Sequence, residues 1–283
     1  MTKMESAPTH SLELRMRLAS GAVLIAAVVL AIYGGAIFFA MLIVAVAIAT
    51  LHEWHRLVNG GHAALEAVPA ALTMAVIVVL VLMDFTLMWS LIVLISGAGA
   101  AALVAVRRGS WVLWHAVGVA YIGVTVIAFM MMREGLANTD LVDGRVIVGG
   151  VFTAVWAADT GALFVGRFLG GPRLAPQLSP KKTWAGLLGG VFLAGLAELI
   201  YVAIVGGPIW LGFLFGVFLG LAANCGDLFE SWVKRVFQTK NSGNLIPGHG
   251  GMLDRVDSLL FAAPAAAAVL VILGSGSVFG ASS

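Results

Sequence analysis

The longest uninterrupted apolar stretch, Ser20 to Thr50, contains no Asp, Glu, Lys or Arg. A helix needs roughly 20 predominantly apolar residues to cross the hydrocarbon core of a bilayer. The stretch is too long for one span, and Tyr33-Gly34-Gly35 offers a break inside it. Division there predicts short spans at about 20–33 and 35–51. Further apolar runs predict spans near 66–83, 85–105, 111–132, 147–166, 184–205, 208–229 and 258–280. The whole chain of 283 residues is 61% hydrophobic and only 11% charged, against roughly 25% charged residues in soluble domains. The expected fold is therefore all-α, a polytopic integral membrane protein of about nine transmembrane helices.

Lys and Arg test the count. With nine spans and a cytoplasmic N-terminus, fourteen of the sixteen basic residues fall on the cytoplasmic side, leaving only Arg133 and Arg145 outside. If Ser20–Thr50 were one span, everything after it would invert. Only Lys3, Arg15, Arg17, Arg133 and Arg145 would then lie inside. Short cytoplasmic loops carry the excess of Lys and Arg, so the reading is N-terminus cytoplasmic, C-terminus outside. The first run follows Arg15 and Arg17 and shows no small-residue cleavage site, which makes it a retained anchor rather than a signal peptide. The chain divides into N-terminal membrane helices over 1–145, about five spans, and a C-terminal region over 146–283 whose cytoplasmic loops hold the polar residues. A net charge of +2 without a basic run speaks against nucleic acid as a partner. The single Cys225 permits no internal disulfide and reads as a small buried apolar residue.

The segment Gly226–Ser258 gathers eight of the thirty Asp, Glu, Lys and Arg residues. Its first part continues the eighth predicted span, which carries Gly212, Gly216 and Gly220 at four-residue spacing. Such a stripe lets another helix approach closely. Asp227, Glu230, Ser231 and Lys234 follow at separations of three and four, which puts them on one side of the helix. Glu230 and Lys234 could simply neutralise each other. That pairing leaves Asp227 unexplained, as well as a second acidic pair, Asp254 and Asp257, at the entry of the last span. Ionisable groups at membrane depth cost roughly 2.5–3.5 kcal/mol each on insertion scales. Two acidic pairs beside basic residues suit a hard divalent cation, because magnesium is held by one or two carboxylates plus substrate phosphates. Between the pairs, Pro247-Gly248-His249-Gly250-Gly251 permits tight turns and close approach of a ligand to main-chain N–H groups; a flexible linker remains the alternative. His249 alone reads equally as a loop residue, a phosphate contact or a proton carrier.

A second polar segment carries Asp159 within an apolar run, then Arg167, Arg173 and Ser179-Pro180-Lys181-Lys182-Thr183-Trp184. Lys181 and Lys182 could be interfacial anchors beside an interfacial Trp184. They could also form a basic, helix-starting loop that grips phosphates, with Asp159 facing the same cavity as Asp227. Glu198, in the seventh predicted span, is a weaker candidate for that interior. Neither a Walker loop nor a dinucleotide fingerprint is present. The residues thus support a membrane-embedded, cytoplasm-facing site for metal and phosphate, and do not name a reaction.

The stretch SWVKRVFQTKNSGNLIPGHGGMLDRVDS closely resembles the C-terminal signature of the phosphatidate cytidylyltransferases, or CDP-diacylglycerol synthases. Ser231, Lys234, Arg235, Lys240, Pro247, Gly248, His249, Gly250, Gly251, Asp254, Arg255 and Asp257 match it. NCGDLFES, DTGALFVGR and SPKKTWAG also look like family segments, and the likeness is specific over about 155–260. Asn241 stands where the signature has Asp, and Ala185 where many members carry a larger polar residue.

The resemblance implies that CTP and phosphatidate give CDP-diacylglycerol and pyrophosphate in phospholipid biosynthesis. It further implies magnesium on Asp227 and Asp254, with a second cation such as potassium beside it. Asp227, Asp254, Asp257, Lys234 and Arg235 would carry the chemistry. Ser179, Lys181, Lys182, Thr183, Ser231, Lys240, His249, Gly250, Gly251 and Arg255 would hold substrate. Asp159, Glu230 and Asp257 would orient the metal ligands. The implied setting is a bacterial cytoplasmic (inner) membrane, where CTP arrives from the cytosol and phosphatidate from the bilayer, and a homodimer is the family expectation. The competing readings are a catalytically silent relative and an ion-coupled transporter, since buried acids also line ion pathways.

Overall fold

The computed structural model describes residues 10–62, 65–135, 142–243, 245 and 250–280, with the side chains of the first helix described from Gly21 onward. Among the described residues the elements are α1 (His10–Gly34), α2 (Ala36–Val58), α3 (Ala67–Leu82), α4 (Leu87–Arg108), α5 (Val112–Glu134), α6 (Gly144–Leu169), β1 (Arg173–Ala175), β2 (Ser179–Thr183), α7 (Trp184–Val205), α8 (Ile209–Val236), α9 (Leu253–Leu273) and α10 (Ser275–Phe279). Seven helices, α2 and α4 through α9, are long and apolar enough to cross a membrane; the apolar part of α1, Gly21–Gly34, and α3 are shorter. Their outward faces are greasy, with Ile95, Ile204 and Ile272 each more than 70% exposed, as a surface that meets lipid should be. The protein is an integral membrane protein built from α-helices.

The break inside the first apolar run falls at Gly35, which holds φ +112° between α1 and α2, a conformation open to glycine and strained for other residues. Three features differ from the sequence expectation. Cys225, expected to be buried, is exposed on α8, which runs as one helix to Val236 and carries Asp227, Glu230, Ser231 and Lys234 on a continuous face, as their spacing predicted. The last run divides at Gly274 into α9 and the short α10. The loop before α7 is an antiparallel hairpin, with Arg173 opposite Thr183 and Ala175 opposite Ser179. The Thr183 hydroxyl accepts from the Gly186 N–H at 3.1 Å and caps α7, so the basic stretch does start a helix.

Helix α5 sits centrally, packed against α2, α3, α4, α6 and α9. An aromatic seam runs from it to the site-bearing helix: Trp114 meets Trp54, Trp232 and Phe237, and Tyr121 meets Phe229 and Phe261. The Trp54 indole N–H donates to the Trp114 carbonyl at 2.8 Å. A buried pair, His55 and His115, joins α2 to α5 with 2.6 Å between their Nδ1 atoms. These contacts hold the end of α8 against both halves of the chain.

The glycine stripe on α8 is used within the chain. A Cβ at Gly212 would lie 3.1 Å from the Glu198 carbonyl oxygen, one at Gly220 would lie 3.1 Å from the Val191 Cα, and one at Gly216 would run into the Ala194 carbonyl. All three neighbours are on α7. Overpacking such a contact costs about 1–3 kcal/mol. Gly216→Leu is therefore expected to lower the thermal unfolding midpoint of the purified protein in detergent. Gly99→Ala, whose new Cβ enters open space, should leave it where it was.

Candidate active site

At one end of the bundle α6, the hairpin, α8 and the start of α9 enclose a cleft of about 1240 Å³. Seven Lys and Arg and five Asp and Glu side chains line it. Net positive lining in a pocket between apolar helices suits a ligand that brings negative charge, such as a phosphate.

Helix α8 supplies the floor. Asp227 is ion-paired with Lys182 of β2. One turn on, Glu230 is 1% exposed and pairs with Lys234 at 2.5 Å. The Lys234 ammonium also donates to Asp254 Oδ1 of α9 at 2.7 Å, so one lysine ties α8 to α9 and serves two carboxylates. The other oxygen, Asp254 Oδ2, accepts from the Ser242 hydroxyl at 2.9 Å and from the N–H groups of Ser242 and Gly251, each at 3.3 Å. Asp254 is thus fixed on one side by the loop before α9 and on the other by lysine. Asp257, one turn further, accepts from its neighbour's N–H at 2.8 Å, and the Ser258 hydroxyl donates to Asp159 of α6 at 3.1 Å. Buried charges of this kind cost free energy unless they are paired and hydrogen-bonded; Lys182 and Lys234 meet that requirement for Asp227, Glu230 and Asp254, and Ser258 donates to both Asp257 and Asp159.

The sequence candidates divide clearly. Asp159, Lys181, Lys182, Thr183, Asp227, Glu230, Lys234, Lys240, Gly250, Asp254, Arg255 and Asp257 line the cleft. Ser179, Ser231, Arg235 and Gly251 are not among its lining residues. Arg235 instead donates to the Leu178 carbonyl at 3.2 Å and holds the hairpin turn. His249, with Pro247 and Gly248, lies outside the described residues. Asn241, the departure from the signature, lines the cleft. Glu198 lies beside Gly150 and Gly216 in the bundle interior, about 21 Å along α7 from its first residue at 1.5 Å per residue, and does not line the cleft. Sequence reasoning gave no role to Arg167 and Arg173, which line it, and missed Glu53 and Ser242 altogether. The visible sign at Glu53 was a lone carboxylate between two histidines at the end of an apolar helix, in Leu51-His52-Glu53-Trp54-His55.

Among the described residues no three Asp, Glu, His or Cys side chains converge closely enough to cage a metal ion. Magnesium does not require such a cage; it is bound by one or two carboxylates, with phosphates and water completing the shell. Asp227 and Asp254 offer hard oxygen donors on two walls of the same cleft, so the donor chemistry fits a hard cation bound together with a phosphate ligand.

A helical bundle opened at one end by a charged cleft defines an integral membrane protein whose cleft has a net positive lining. The profile of the Cytidylyltransferase family matches residues 15–273, and the chain belongs to that family. The phosphatidate cytidylyltransferases of Brucella suis biovar 1 and Brucella melitensis biotype 1 are each 35% identical to it over 242 residues, covering 85% of this chain and 86% of theirs. That of Rickettsia bellii is 45% identical over 122 residues, 40% of this chain and 52% of its own.

Lys234 is the shared partner of two carboxylates, one of them fully buried. Removing one member of a buried pair typically costs about 3–5 kcal/mol. Lys234→Met is expected to lower the unfolding midpoint sharply, and adding Glu230→Gln should recover part of that loss, as thermal unfolding in detergent will show.

Proposed function

We propose that this chain is a phosphatidate cytidylyltransferase, transferring CMP from CTP to phosphatidate to give CDP-diacylglycerol and pyrophosphate. One observation carries the reading: a cationic cleft with paired carboxylates lies inside a membrane bundle whose sequence belongs to the cytidylyltransferases. A phosphate oxygen of phosphatidate attacks the α-phosphorus of CTP, and the bond to the bridging oxygen of the β-phosphate breaks. Catalysis of such a transfer rests on positioning and on neutralising charge. Lys182 and Lys234 project into the cleft and are placed to hold phosphate oxygens, as are Lys181, Lys240 and Arg255. Asp227 and Asp254 would hold magnesium, which supplies charge neutralisation on the triphosphate when bound. Asp159, Glu230 and Asp257 keep the lysines and the metal-binding carboxylates in place. A second cation such as potassium belongs to the same reading.

The lipid substrate has a route. A second, apolar cavity of about 290 Å³ lies between α1, α2, α5, α6 and α9, lined by residues such as Leu24, Ile43, Val126, Phe129 and Leu259. Arg255 lines both this cavity and the charged cleft. A phosphatidate whose chain occupies the groove presents its phosphate at Arg255. The distribution of Lys and Arg and the bacterial relatives support a cleft facing the cytoplasm from the inner membrane. A homodimer would use faces other than the α8 glycine stripe, which α7 already covers.

The test is pyrophosphate release by the purified protein given CTP, phosphatidate and magnesium. Release should need both substrates, stop on chelation of the metal and return when magnesium is restored. Asp227→Asn should cut kcat by about 10²–10³-fold, the scale on which single electrostatic contacts in active sites act. Release that ignores chelation or survives Asp227→Asn intact would overturn the metal assignment.

A further inference from the structure

Helix α9 begins without a cap of its own. Met252, which precedes it, makes no capping hydrogen bond through its side chain, and the first N–H groups of a helix have no partner within it. The missing acceptor comes from the other half of the chain. Glu53, near the end of α2, is 2% exposed and its Oε2 accepts from the Leu253 N–H at 2.8 Å. A carboxylate at a helix N-terminus is also favoured by the helix dipole.

The same oxygen lies 3.2 Å from the Ser242 hydroxyl, which lies 2.9 Å from Asp254 Oδ2. A hydroxyl has one proton to donate, so Ser242 stands between the two carboxylates and can serve only one at a time. The backbone around them is shaped to the Glu53 carboxylate. A Cβ at Gly243 would meet Oε1, and one at Gly251 would meet Oε2. Among the described residues Oε1 itself is buried with no hydrogen-bond donor, an arrangement that carries a desolvation cost and is not what a cap alone requires.

We propose that Glu53 is a positioning residue for the transfer reaction: through Leu253 and Ser242 it fixes the start of α9 and sets the carboxylate of Asp254 in the cleft. The proposal rests on the cytidylyltransferase reading for its catalytic consequence. It assigns a role to the N-terminal half, about 200 residues away along the chain, whereas the recognisable motifs all lie in the C-terminal half. Glu53 does not line the cleft; its effect passes through the loop whose Ser242 and Gly251 donate to Asp254.

The experiment uses the full chain in detergent, with steady-state kinetics and amide hydrogen exchange measured on the same preparations. Glu53→Ala should lower kcat by about 10–100-fold, as loss of a group that orients a ligand commonly does, while KM for phosphatidate stays unchanged. Glu53→Gln keeps an oxygen for the Leu253 N–H and should recover most of that loss. Glu53→Ala with Ser242→Ala should lose no more than Glu53→Ala alone, because residues acting as one unit are not additive. The amides of Ser242 and Leu253 should exchange faster in Glu53→Ala, with α2 and α5 protected as in the wild type. An unchanged kcat in Glu53→Ala would overturn the proposal. So would exchange that accelerates throughout the bundle, since Glu53 would then be a general stabilising residue. If the wild type releases no pyrophosphate, the transferase reading fails by itself. The exchange arm then decides separately: local acceleration sustains the seating of Asp254 by Glu53, and unchanged exchange refutes it.

Discussion

Two lysines hold the functional end of this protein together. Lys182 joins the hairpin to α8 through Asp227, and Lys234, paired with Glu230 one turn back on α8, joins that helix to α9 through Asp254. The Lys182–Asp227 and Lys234–Asp254 pairs each cross from one element to another, while Glu230 holds Lys234 from within α8, so the walls of the cleft are set by charge as much as by packing. Buried ion pairs are poor sources of net stability, because desolvation offsets their attraction, yet they are costly to break. Apolar residues of similar size would serve the fold at least as well. The pairs are therefore better understood as fixed charge held in the cleft, where it would meet the charge of the proposed phosphate ligands.

The membrane plan was legible because it follows from length and polarity alone. Runs of about 20 apolar residues have few alternatives in a bilayer, and the break at Gly35 was visible as paired glycines. Ends were less legible. The last run, expected as one span over 258–280, is α9 followed after Gly274 by the short α10, and no charge or proline at that point marks the division. The hairpin was hidden for a related reason. Arg173–Ala175 and Ser179–Thr183 show no alternation of apolar and polar residues, the usual sign of a strand. Their pairing depends on anchors that are remote in sequence, among them Arg235 on the Leu178 carbonyl.

The charged residues of the cleft were largely readable, because unpaired acids and bases inside an apolar chain need an explanation and helical spacing puts Asp227, Glu230 and Lys234 on one side. Their partners were harder to read. Glu230 and Lys234 could have been a self-contained pair on spacing alone; Lys234 also serves Asp254, which spacing along one helix cannot reveal. Arg235, expected to clamp phosphate, has a contact with the hairpin turn that its place in the motif did not announce. Glu53 carried no motif at all, and its contacts are made wholly by tertiary folding. What the sequence hid were the contacts between elements, which depend on the register of helices against one another.

The central claim is that the cleft brings a nucleotide triphosphate from water and a phosphate from lipid into one site. The most direct measurement follows two labels of CTP, one on the α-phosphate and one on the γ-phosphate, through a reaction of the purified protein with phosphatidate, followed by separation of lipid from water. The account predicts that the α label moves into the lipid phase while the γ label stays in water as pyrophosphate. A γ label in the lipid, or an α label that never enters it, would contradict the account.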